Sequence, residues 1–173
     1  GRSFCQGVGL FGIGLLIDEA GRDRYEGDVH VQGTGLPGGI GAVIDRAGDD
    51  DYYAKGLIPT NYGDAGIFDA WSQGCGMGFR TIASGGLGLL LDGGGNDRYP
   101  AQAFCGGASA NNAIALFEDV TGSDRWVGAT PPTTGQTNEY WGGTSLSLAF
   151  FAPQLAREGE QLPPIEARDA NTF

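Results

Sequence analysis

GLGLLLDGGGNDRY, residues Gly86 to Tyr99, is one of four copies of a single pattern. The others are GIGLLIDEAGRDRY (Gly12 to Tyr25), GIGAVIDRAGDDDY (Gly39 to Tyr52) and AIALFEDVTGSDRW (Ala113 to Trp126). Each copy alternates small and aliphatic residues up to an Asp. It then keeps a Gly, a second Asp and an aromatic ring at the same offsets. The first aspartates, Asp18, Asp45, Asp92 and Asp119, are 27, 47 and 27 residues apart, so the second interval carries an insertion. A second element, CQGVG (Cys5 to Gly9), VQGTG (Val31 to Gly35) and SQGCG (Ser72 to Gly76), precedes the first three copies. It degenerates to FCGGA (Phe104 to Ala108) before the fourth.

The period inside each copy is two: Ile13, Leu15 and Ile17 lie on one side, Gly14, Leu16 and Asp18 on the other. That is strand alternation, and Gly at alternate positions would cost a helix about 1 kcal/mol each. A unit of this size cannot bury its apolar face alone, so copies must stack. The expected fold is all-β, a right-handed parallel β-helix (β-solenoid) of about 27 residues per coil and four to five coils. It would occupy residues 1–151, with a loop insertion at 54–72 and a C-terminal extension or cap at 152–173. Ile13, Ile40, Leu87 and Ile114 are expected to form one inward ladder, and Leu15, Ala42, Leu89 and Leu116 another. Tyr25, Tyr52, Tyr99 and Trp126 would stack as an aromatic column. The recurrent Gly21, Gly48, Gly95 and Gly122 are assigned to a turn position with positive φ.

Glycine accounts for 33 of 173 residues, without a collagen period, and suits a regular fold that needs Gly at repeated places. A net charge of −11 with only 10 Lys and Arg argues against nucleic acid or anionic membrane as partner. The longest apolar run, Val8 to Ile17, falls well short of the roughly 20 residues of a membrane span. Three cysteines cannot all pair within one chain. The chain begins with Gly, and a processed or excised piece is expected.

In-register stacking would bring the aspartates into two columns, Asp18, Asp45, Asp92 and Asp119 beside Asp23, Asp50, Asp97 and Asp124. Like charges placed opposite one another repel. One reading holds that Ca²⁺ neutralises them through carboxylate and carbonyl oxygens. The other is turn geometry alone, each Asp accepting hydrogen bonds from nearby N–H groups or pairing with Arg. Residues Asp92 to Pro100 resemble the calcium-binding nonapeptide of RTX β-rolls at Gly93, Gly95, Asp97 and Tyr99, with Asp92 in place of its first glycine. RTX motifs run in tandem every nine residues, whereas here one turn occurs per repeat. Over residues 5 to 127 the chain is similar to Gly/Asp-rich repeats of β-solenoid type in uncharacterised bacterial proteins. That resemblance implies an extracellular, cell-surface or periplasmic setting and brings no activity.

Departures from the repeat are where binding is expected. The insert AKGLIPTNYGDAGIFDAWS (Ala54 to Ser72) holds Asn61, Tyr62, Asp64, Asp69 and Trp71, a mixture suited to sugar or protein contact. It also reads as a packed loop with Ile67, Phe68 and Trp71 against the domain. The single His30 has no Ser or Cys partner at a recognisable spacing and reads as a surface residue. The expected function is therefore a non-catalytic structural or protein-interaction module without cofactor, pairing with a protein or with itself through its coil ends. A calcium-stabilised module and a carbohydrate-binding or carbohydrate-active domain are the alternatives.

Overall fold

A computed structural model describes residues 2–61, 66–80, 82–128, 136–139 and 144–151. Of residues 126–128, 136–139 and 144–151 only the backbone is described. The first repeat contributes β1 (Ser3–Cys5), β2 (Ile13–Asp18) and β3 (Arg24–Gly27). The second contributes β4 (Val29–Val31), β5 (Ile40–Asp45) and β6 (Asp51–Ala54). The insert holds β7 (Ile58–Pro59) and β8 (Phe68–Asp69). β9 (Gly76–Met77), β10 (Leu87–Asp92) and β11 (Arg98–Ala101) follow, then β12 (Ser109–Ala110), β13 (Ile114–Asp119) and β14 (Arg125–Gly128). β15 (Gln136–Glu139) and β16 (Thr144–Phe151) end the described chain.

The four copies pair in parallel and in register. Ile13, Ile40, Leu87 and Ile114 are Cα partners from strand to strand, as are Asp18, Asp45, Asp92 and Asp119. The segments after the turn do the same in a four-stranded sheet, β14-β11-β6-β3.

The expected right-handed parallel β-helix of four to five coils is nevertheless corrected. The described strands divide among separate sheets of six, four and three times two strands, and pairing is mixed. β15 runs antiparallel to β16, and β7 antiparallel to β8. What the described residues form is a helix-free β fold of several short sheets. One physical reason lies in the second element. Phe4 and His30, at the centres of the three-residue β1 and β4, and Gln6, Gln32, Trp71 and Gln73, outside the strands, all have positive φ between 45° and 58°, a left-handed conformation that keeps strands there short. Pairing there shrinks to β1-β4, β12-β9 and single bridges such as Gly9 to Gly35 and Gly35 to Gly76. The insert and the segment after β14 then add antiparallel partners of their own.

The inward ladders also require correction. Ile13 is 77 % exposed, Leu15 55 % and Ile114 48 %, and Leu87, Leu89 and Leu116 are half-buried, so that of the two ladders only Ala42 is buried, whereas Val43, Leu90 and Phe117 are 0 % exposed. The interior therefore receives the Gly/Leu/Asp side of each strand. The cause is the second element, whose backbone lies directly against that side. A Cβ on Gly88 would run into the Cys75 carbonyl, and one on Gly41 into that of Thr34. Val43, Leu90 and Phe117 pack inside with Tyr25, Tyr52, Tyr99, Ala54, Ala101 and Cys105, and Leu16 closes the cluster at the first repeat. Tyr25 and Tyr52 stack with centroids 4.8 Å apart, Tyr52 and Tyr99 with 5.0 Å. The side chain of Trp126 lies outside the described residues.

Gly21, Gly48 and Gly95 do not have positive φ; of the recurrent glycines only Gly122 does, at 151°. They are needed for close approach instead. A Cβ on Gly48 would meet the Gly21 carbonyl oxygen, and one on Gly95 that of Gly48.

Candidate functional site

The first aspartates end strands β2, β5, β10 and β13, so parallel register places them in one column. The chain then turns. Ala20 N–H donates to Asp18 Oδ1 at 3.1 Å, and Gly94 N–H to Asp92 Oδ1 at 2.9 Å, closing turns of the Asx type. The tyrosine of one repeat reaches the Asp of the next: Tyr25 Oη donates to Asp45 Oδ2 at 2.6 Å, Tyr52 Oη to Asp92 Oδ2 at 2.7 Å and Tyr99 Oη to Asp119 Oδ2 at 2.8 Å. Asp92 is a second, longer acceptor for Tyr99, at 3.3 Å.

The second aspartates link repeats through the backbone. Asp23 N–H donates to Asp50 Oδ1 and Asp50 N–H to Asp97 Oδ1, both at 2.6 Å, and Asp97 N–H to Asp124 Oδ1 at 2.9 Å. Asp45, Asp50, Asp92, Asp97 and Asp119 are buried, while Asp18, Asp23 and Asp124 are partly exposed.

Burial moves these groups. Asp97 is pushed up to about 8 by desolvation, opposed by the Asp50 N–H and reinforced by the carboxylates of Asp92, Asp124 and Asp50. Desolvation, then Asp124, pushes Asp119 up to about 8 against the hydrogen bond from Tyr99. Asp50 rises to about 6, again chiefly by desolvation, and Asp92 and Asp124 are also raised. Asp45 Oδ1, Asp50 Oδ2, Asp97 Oδ2 and Asp119 Oδ1 are buried without a hydrogen-bond partner.

Of the eight aspartates, five come together. Asp50, Asp92 and Asp97 each offer an oxygen within 4.8 Å of the others, and so do Asp97, Asp119 and Asp124. The trios follow one rule, both aspartates of a turn plus the second aspartate of the turn before. Among the described residues Asp18, Asp23 and Asp45 join no such group.

The insert is arranged differently. Asn61 is exposed, and Tyr62 and Asp64 lie outside the described residues. Asp69 sits on β8, where it pairs with Ile58 of β7 and bridges to Ala103. The Trp71 indole stacks on Phe104 at 4.1 Å and 9°, which covers one of its two faces. A pocket of about 250 Å³ at the foot of the insert is lined by Arg2, Asp28, Lys55, Leu57, Phe68 and Gln102, of which the sequence singled out Phe68 alone, as a packing residue.

Trp71 belongs to a second aromatic column. Phe4, His30, Trp71 and Phe104 all have positive φ, from 45° to 62°, and Phe4 lies 5.1 Å from His30 between ring centroids. His30 is thus part of the column, partly buried, with burial holding its imidazole below the usual range. The signal was present as a ring two residues before each glutamine of the second element, in FCQ, HVQ and WSQ. The glutamines tie the two elements together: Gln32 Nε2 donates to Tyr25 O and Gln73 Nε2 to Tyr52 O, both at 2.7 Å. Cys5, Cys75 and Cys105 are free thiols, the last two buried.

No family model matches the chain, and neither a curated protein nor a solved structure matches it.

Proposed function

We propose that this chain is a non-catalytic structural module that associates with a second copy of itself through the aliphatic face and open edge of its largest sheet. The observation that carries this reading is the outward set Ile13, Leu15, Ile17, Ile40 and Ile114, all exposed. These residues occupy one side of β2, β5 and β13, in register. Contiguous apolar surface rimmed by polar residues marks an interaction site. The chain's net charge of −11 resides elsewhere, since Glu118 is the one charged residue among the outward positions of β2, β5, β10 and β13. Among the described residues β2 is also the end strand of its sheet, and an open edge accepts another strand.

Four strands of six residues present a face of roughly 20 Å by 20 Å. That is about half the ~800 Å² per partner of a stable interface, so the face supports weak, concentration-dependent association unless the β2 edge pairs as well. Sedimentation velocity over micromolar to sub-millimolar protein tests it. The weight-average mass should rise with concentration, and Leu15→Asp should hold it at the monomer value. A native chain that stays monomeric throughout would overturn the reading.

A further inference from the structure

We infer that the two aspartate trios, Asp50/Asp92/Asp97 and Asp97/Asp119/Asp124, are calcium sites that lock the second repeat to the third and the third to the fourth. The inference is independent of the self-association reading.

Two observations carry it. The first is geometric: three carboxylate oxygens lie within 4.8 Å of one another in each trio. That is close enough for all three to reach one Ca²⁺ at ligand bonds of about 2.4 Å, and Ca²⁺ accepts flexible, carboxylate-rich oxygen shells where Mg²⁺ prefers to retain water. The second concerns the oxygens themselves. Asp50 Oδ2, Asp97 Oδ2 and Asp119 Oδ1 are buried and lack any hydrogen-bond partner, in residues only 1–2 % exposed. A buried carboxylate oxygen left unsatisfied is costly, and a hard cation satisfies it without a donor.

The sharing pattern explains why the site belongs to the stack. Asp97 contributes to both trios: its Oδ1 accepts the Asp50 N–H, and its Oδ2 is buried without a hydrogen-bond partner. Five carboxylates in the two trios are nearly balanced by two divalent ions, leaving one formal negative charge. All-oxygen ligands also select a hard cation over zinc or copper. Among the described residues Asp18, Asp23 and Asp45 lie outside the trios, and the two sites are therefore assigned to the third and fourth turns.

The test is calorimetric titration of CaCl₂ into the full chain stripped with EDTA, with thermal unfolding followed in parallel. Two equivalents of Ca²⁺ should bind, and Tm should rise by roughly 5–10 °C per site at a hundredfold excess over Kd. Asp97→Asn should abolish both sites and the Tm rise. Asp124→Asn should leave one equivalent, which keeps the inference testable if Asp97→Asn fails to fold. Asp18→Asn should still bind two. Absence of heat and of a Tm shift in millimolar Ca²⁺ would overturn the inference, as would binding unchanged in Asp124→Asn or folded Asp97→Asn.

Discussion

Each buried aspartate of the column is held by a residue from a neighbouring repeat. The Tyr52 hydroxyl donates to Asp92 at 2.7 Å and both groups are buried. Tyr52→Phe removes that donor, keeps the stacked ring and leaves Asp92 under-satisfied, a loss of about 1–3 kcal/mol. Urea unfolding of the variant reads it; an unchanged midpoint would mean that the hydroxyl contributes nothing net. The carboxylates also set a pH dependence for the metal-free chain. Asp97 and Asp119, raised to about 8, and Asp50, raised to about 6, keep protons that an unfolded chain releases near pH 4. Their contribution is fully present below about pH 4 and is lost as pH rises through about 6 and then about 8. In EDTA the urea midpoint should therefore be higher near pH 5 than near pH 9, and the reverse order would contradict burial of these groups.

At the scale of elements, the strands and their partners were legible and their sidedness was not. Four copies with the same offsets from Gly12 to Trp126 dictate which residues pair, and Asp18, Asp45, Asp92 and Asp119 do fall opposite one another. Which face turns inward was decided by something alternation does not encode. IGLLID offers Ile, Leu, Ile on one side and Gly, Leu, Asp on the other, and apolarity alone favours the first. The second element overrides that preference because its backbone needs the glycine side. Gln73 of that element has a positive φ of 58° and is fully buried. Gln73→Ala retains the strained backbone while removing the hydrogen bond to Tyr52 O, and should cost about 1–3 kcal/mol by urea unfolding. Leu90→Ala, at a fully buried inward position, should cost about 2–5 kcal/mol, against well under 1 kcal/mol for Leu15→Ala in dilute monomer.

At the scale of the molecule, the same inversion produces both the interior column of carboxylates and the exterior sheet of aliphatic side chains. The column joins repeats within one chain; the sheet is left to join chains. The division of the strands into several sheets was not readable from the repeat, because it arises in the left-handed residues of the second element and in the antiparallel additions at β7–β8 and β15–β16. The 47-residue interval points to an insertion, but the stacking of Trp71 on Phe104 depends on a ring column that is visible only once the second elements are aligned. Maleimide labelling of single cysteines introduced into a Cys5→Ser background tests the orientation and the association together. Leu15→Cys should label fast in dilute solution and slow as protein concentration rises, while Leu90→Cys stays protected at every concentration. Fast labelling of Leu15→Cys at all concentrations would remove the association, and a Leu90→Cys that labels before Leu15→Cys would contradict the inward glycine–aspartate face on which the whole assignment stands.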